Sequence, residues 1–146
     1  MLTVKKAALI YEEAPGTDLP AKGQADGFKA AGIDIKVVDM VLKIKAQMYL
    51  LEAANARHEH EVAVWDDVKL PDGKILAPGV VTDSTPIIEH PELVAMRIEA
   101  FATRVGRENV VASTDCGLGL RLHPSLAWKK LNVLTEGARI ASDRLW

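Results

Sequence analysis

Three apolar runs of this chain each end on a side chain that can ionise or coordinate. Glu52 follows MYLL, Asp83 follows GVVT, and the pair Asp115-Cys116 follows VVAST. A carboxylate can accept hydrogen bonds, exchange a proton or bind a metal, and a thiolate is both a nucleophile and a soft ligand. Cys116 is the only cysteine, so it makes no disulfide within the chain; taken alone, a single cysteine reads first as a small buried hydrophobe. His58 and His60 alternate with glutamates in RHEHEV, close in sequence to Glu52. Their first reading is solvated polarity, and their second is a makeshift pair of ligands beside Glu52. Ser84 follows Asp83 directly, and its hydroxyl cannot act as an acid at neutral pH as an imidazole would.

Such residues matter only if the elements that carry them bring them together. AQMYLLEAA (Ala46 to Ala54), KILAPGVVT (Lys74 to Thr82) and NVVASTDC (Asn109 to Cys116) are short, nearly continuous apolar runs, the pattern of strands buried on both faces. KKAALIY supplies a further short strand near the start. Helical periods separate them. Val94, Ile98, Phe101 and Val105 mark one buried stripe, and Ala127, Leu131, Leu134, Ala138, Ala141 and Leu145 mark another. RHEHEVAVWDDV predicts a shorter helix that ends before the turn signal of Pro71 and Asp72-Gly73, and DIKVVDMVLKIK (Asp34 to Lys45) predicts a helix feeding the first buried strand. The alternation reads as repeated βα units and a parallel sheet. His90-Pro91 and His123-Pro124 recur one module apart, each with proline at the first helical position and histidine as a structural cap. Glu52, Asp83 and Cys116 then fall at carboxyl ends of strands, the rim on which βα folds build sites. Trp65, Trp128 and Trp146 read as packing residues.

Composition narrows the function classes. A chain of 146 residues with 49% hydrophobic and 26% charged residues can bury one core. A formal net charge of −2, with lysines and arginines dispersed among acids, lacks the footprint of a nucleic-acid binder. The apolar run Ala7 to Tyr11 is too short for a signal h-region or a membrane span. The expectation is a cytoplasmic protein that engages neither nucleic acid nor membrane.

From about Gly32 to Trp146 the chain resembles the C-terminal part of the cobalamin-independent methionine synthase family (5-methyltetrahydropteroyltriglutamate-homocysteine methyltransferase) and its shorter relatives, which include epoxyalkane:coenzyme M transferase. LLEAANARHEHE, DVKLPDGKILAPGVVTDST, EHPELVAMRIEAFATRVGRENVVASTDCGLG and EGARIASDRLW carry the resemblance in the family's order, and such extended blocks are more specific than a short motif. Residues 1–31 match poorly and are expected to form a divergent segment of one strand plus a loop. The resemblance implies an α/β fold of parallel βα repeats, the last three or four units of a (β/α)8 TIM barrel, whose full form takes ~250 residues. It also implies a zinc held by a His-x-Cys pair, a glutamate and the cysteine of a D-C-G segment. Glu52 corresponds to that glutamate and Cys116 to that cysteine. Ser84 stands where the family's methionine synthases carry a proton-donor histidine in a D-x-H-S-P segment.

The function implied is methylation of homocysteine, or of another small thiol, from a folate-type methyl donor, with zinc stabilising the thiolate. No histidine or cysteine occurs from Met1 to Lys45, so the His-x-Cys pair has no counterpart before Glu52. Two readings stand: a C-terminal fragment or split subunit of such an enzyme, inactive alone, and a non-catalytic barrel remnant serving as an assembly or binding module. Either way the unclosed sheet predicts self-association or a partner chain that completes the barrel.

Overall fold

The computed structural model describes residues 7–9 and 41–146. Four strands, β1 (Ala7–Leu9), β2 (Met48–Leu51), β3 (Ile75–Val81) and β4 (Ser113–Thr114), form one sheet in the order β1-β2-β3-β4. All three ladders are parallel, with Ala7 opposite Met48, Met48 opposite Ile75 and Gly79 opposite Ser113. Helix α1 (Pro91–Val105) connects β3 to β4, and helix α2 (Pro124–Leu145) follows β4. The α/β class with a parallel sheet, read from the alternating periods, is therefore the observed one.

Within β3, residues Leu76 to Val81 are all buried, as expected of a central parallel strand covered on both faces. One apolar cluster joins Tyr49, Trp65, Leu76, Phe101 and Val105, and a second joins Val80, Val81, Val94, Ala95, Ile98 and Ala141. The expected stripe of α1 thus divides its residues between the two clusters. The Tyr49 hydroxyl, deep in the first, is shared between the carbonyls of Leu42 and Ile44 at 3.1 and 2.9 Å, which satisfies the polar end of an otherwise apolar side chain.

Both histidine caps are present. His90 Nδ1 accepts the N–H of Glu92 at 3.2 Å, His123 Nδ1 accepts that of Ser125 at 3.3 Å, and a proline occupies the first turn of each helix.

Several expectations need correction. The segment after β2 is a 3-10 helix, Glu59–Asp66, with no side-chain cap and only Trp65 buried; alternating polar and β-branched residues give it no apolar stripe to dock. Regular pairing in the third expected strand is confined to Ser113–Thr114, with an isolated bridge from Val110 to Leu76. Between Gly79 and Val81 the register slips, two residues of β3 advancing for one of β4. The buried positions of α2 are Lys130, Gly137 and Ala141, while Leu131 is exposed. Of the expected stripe, Ala141 is buried and Leu134, Ala138 and Leu145 pack against the second cluster; the departure is Lys130, a core residue that periodicity places toward solvent. Trp128 and Trp146 are 68% and 75% exposed, so only Trp65 is a core tryptophan; Trp146 stacks its ring on the Arg107 guanidinium instead, at 4.0 Å. Of the helix expected over Asp34 to Lys45, residues 34–40 lie outside the described residues, as does most of the 1–31 segment; Val41 is helical and a turn follows. Among the described residues no helix is long and apolar enough to cross a membrane.

Candidate functional site

Parallel pairing puts the carboxyl ends of β2, β3 and β4 on one edge of the sheet. Glu52 is the first residue past β2, Asp83 lies two past β3, and Cys116 lies two past β4. The residue that joins these ends is Asp115. Its Oδ1 accepts the backbone N–H groups of Ala53 and Ala54 at 2.8 and 2.9 Å, and its Oδ2 accepts from Asn55 Nδ2 at 3.0 Å. The same Asn55 amide donates its other proton to Glu52 Oε2 at 2.8 Å. Asn55 is held the right way round by its own Oδ1, which accepts the N–H groups of Arg57 and His58, a local turn that asparagine side chains favour. Glu52 and Asp115 therefore share one donor group, the Asn55 amide, which lies sixty residues before Asp115.

Gly79 makes this approach possible. A Cβ at position 79 would come within 2.6 Å of Asp115 Cα and 2.7 Å of its N, so only glycine lets β4 close on β3 where the register slips. From α1, Arg97 closes the other side: its guanidinium donates to the carbonyls of Val80 and Ala54 at 3.1 and 3.2 Å and to Glu59 Oε1 at 2.8 Å.

The surroundings of Glu52 perturb its carboxyl. Partial burial pushes the Glu52 carboxyl above the usual carboxylate range, the charge of Asp115 adds to that, and Asp83 adds a little more, while His58 and the Asn55 hydrogen bond pull it back. His58 Nε2 stands 3.9 Å from Glu52 Oε2, and its Nδ1 lies 3.0 Å from Glu61 Oε1. Asp83 is buried, with Arg121 Nε at 3.5 Å from its Oδ2. Ser84 is exposed, and its hydroxyl is engaged with Thr82 Oγ1 at 2.7 Å. Cys116 is half-buried and free of any disulfide, and its carbonyl accepts from Thr114 Oγ1 at 3.0 Å. His60 is exposed on the 3-10 turn.

The geometry thus brings Glu52, Asp83, Asp115 and His58 into one electrostatic neighbourhood and leaves His60 on the surface. Asn55 and Arg97 are not among the residues the sequence points to, and Asp115 is marked there only as an ionisable residue beside Cys116 at a strand end. The signal for Asn55 was its position just after a strand end and three residues past Glu52. Nothing in the sequence marked Arg97, which lies within an ordinary amphipathic helix. A catalytic zinc takes three protein ligands beside an open position. Among the described residues no group of three or more His, Cys, Asp or Glu side chains is arranged to hold a metal ion, so the residues present do not by themselves make the zinc site that the resemblance implies.

Neither the protein-family models nor the curated proteins yield a match to this chain. Among solved structures it is similar to the B12-independent methionine synthase from Shewanella sp. W3-18-1, determined in complex with selenomethionine, with a TM-score of 0.63 and 25% sequence identity. The similarity covers 73% of this chain but 29% of that one, so the chain spans less than a third of the length of the synthase it matches. The three-dimensional comparison supports the family resemblance that the sequence blocks carry: the chain is similar to one part of a B12-independent methionine synthase.

Proposed function

We propose that the chain forms the last βα units of a methionine-synthase-like TIM barrel and contributes Glu52 and Cys116 to a zinc-dependent thiol methyltransferase site, with homocysteine as the thiol and a methyltetrahydrofolate as the methyl donor. The observation that supports this reading is the Asp115–Asn55–Glu52 network. It fastens the end of β2 to the end of β4, and so keeps Glu52 and the residue next to Cys116 on one rim. Two ligands leave a catalytic zinc site incomplete. The chain alone is accordingly expected to bind zinc weakly and to transfer no methyl group, and the missing ligands come from a partner chain that also completes the barrel. Among the described residues β4 pairs only with β3, which leaves an edge for such a partner.

A non-catalytic assembly or binding module is the second reading. It is favoured by one observation: Glu52 is already engaged by Asn55 and neighboured by His58 rather than grouped with further ligands.

Zinc titration of the purified chain against a competing chelator tests both, alongside Cys116→Ser, a methyl-transfer assay with homocysteine, and sedimentation. Weak zinc binding that Cys116→Ser abolishes, with no turnover until an upstream barrel chain is added, is the expected result. Zinc binding indifferent to Cys116→Ser favours the second reading. Stoichiometric, Cys116-dependent binding with turnover by the chain alone overturns the requirement for a partner.

A further inference from the structure

The least expected side chain of the core is Lys130, wholly buried at 0% exposure on the inner face of α2. Its Nζ lies 2.7 Å from Glu89 Oε2, and Glu89 is buried too. The other oxygen, Oε1, accepts the backbone N–H of Thr82 at 2.8 Å. Thr82 is the first residue after β3 and Glu89 stands just before the cap of α1, so this one carboxylate joins the two ends of the loop that carries Asp83 and Ser84. Inside the loop, Thr82 Oγ1 meets Ser84 Oγ at 2.7 Å and accepts the Ser84 N–H at 3.1 Å. Gly137 of α2 packs against Pro91 and Val94, where an added Cβ would meet Val94 Cβ at 2.5 Å. The helix is thereby seated on the start of α1, with Lys130 reaching the loop's neck.

A buried ion pair is a poor way to gain stability, because removing both charges from water costs about as much as their attraction returns, and apolar replacements of similar volume are commonly neutral or better. The other buried residues of α2 are Gly137 and Ala141, and Val133, Leu134 and Ile140 of the same helix pack against the second cluster, so an apolar side chain could pack at this position. We propose that Glu89 and Lys130 are positioning residues: they clasp the neck of the 82–89 loop to α2 and so hold Asp83 and Ser84 at the sheet edge. The clasp stands whether or not the chain takes part in methyl transfer.

Backbone amide hydrogen exchange on the full chain tests this. In Lys130→Met/Glu89→Leu, both charges go and volume is kept, but the buried Thr82 N–H loses its acceptor; the amides of 82–85, 87 and 88 should exchange faster by about tenfold or more, while those of α1 stay as in the wild type and the melting midpoint is unchanged or modestly lowered. Lys130→Met/Glu89→Gln keeps an acceptor for the Thr82 N–H and should restore protection at Thr82. Unchanged exchange over 82–88 in the folded Leu variant overturns the proposal. Should that variant not fold, the wild-type chain still decides: the Thr82 amide must exchange as slowly as those of Val80 and Val81, and exchange at the rate of the exposed loop amides overturns the clasp.

Discussion

Asp115→Ala is the substitution that the geometry makes most costly at the rim. In the wild type one carboxylate satisfies three donors, the N–H groups of Ala53 and Ala54 and the Asn55 amide. Ala53 and Ala54 are both buried, so the truncation strands two backbone donors with no other acceptor at hand. Leaving a buried donor unsatisfied costs ~1–3 kcal/mol each, which sets the loss at about 2–6 kcal/mol, the lower half applying if water enters the space vacated by the carboxylate. Against a native stability of ~5–15 kcal/mol this is readily measured as a shift in urea midpoint. Asp115→Asn separates charge from shape. Its Oδ1 can still accept from Ala53 and Ala54, but its amide nitrogen would face the Asn55 amide, which cannot turn over because its oxygen is committed to Arg57 and His58. A loss between zero and that of alanine is expected, together with a fall in the Glu52 pKa, since Asp115 is one cause of its elevation. The assays are urea unfolding followed by tryptophan fluorescence and an NMR titration of the Glu52 side chain. A loss below ~1 kcal/mol for Asp115→Ala, with the Ala53 and Ala54 amides still protected, would refute the account of Asp115 as the joint between β2 and β4.

Glu52 has a folded-state pKa above its unfolded one, so the fold favours its acid form; that contribution is fully present below the unfolded-state pKa and is lost as pH rises through the folded-state value. Glu52→Gln should therefore be more stable than the wild type at pH 7 and indistinguishable from it near pH 4. Because the side chain is 34% exposed, solvent screening keeps the difference below ~1 kcal/mol; paired urea midpoints at the two pH values that differ in the opposite sense would contradict it. Gly79→Ala drives a methyl group into the Asp115 backbone and should cost ~1–3 kcal/mol, with faster exchange of the Ala53 and Ala54 amides as β4 is displaced. Wild-type stability and exchange in that variant would show that β4 does not depend on the missing Cβ.

Local signals carried the outline of the fold. Continuous apolar runs marked β2 and β3, the 3.6-residue period marked α1, and the two His-Pro steps marked both helix starts, because hydrophobic period and proline geometry act over a few residues and do not depend on distant partners. The order of these elements then implied parallel strands, and parallel strands put Glu52, Asp83 and Asp115-Cys116 on one edge. Where a distant partner decided the outcome, the reading failed or was silent. Only the register slip against Gly79 shortens β4, and only the approach that it permits turns Asp115 from the neighbour of a cysteine into the acceptor for three donors on the segment after β2. Lys130 shows the same limit: as a residue type it belongs to water, and it became a core residue because Glu89, forty-one positions earlier, is folded back to meet it. Periodicity is a property of neighbours along the chain, whereas a buried polar group is stable only with a partner of matching charge or hydrogen-bonding capacity. Sequence alone thus determined the elements, their order and the edge on which the ionisable residues lie. Tertiary structure alone decided which of those residues satisfy one another, because that depends on backbone segments far apart in sequence coming to within hydrogen-bonding distance.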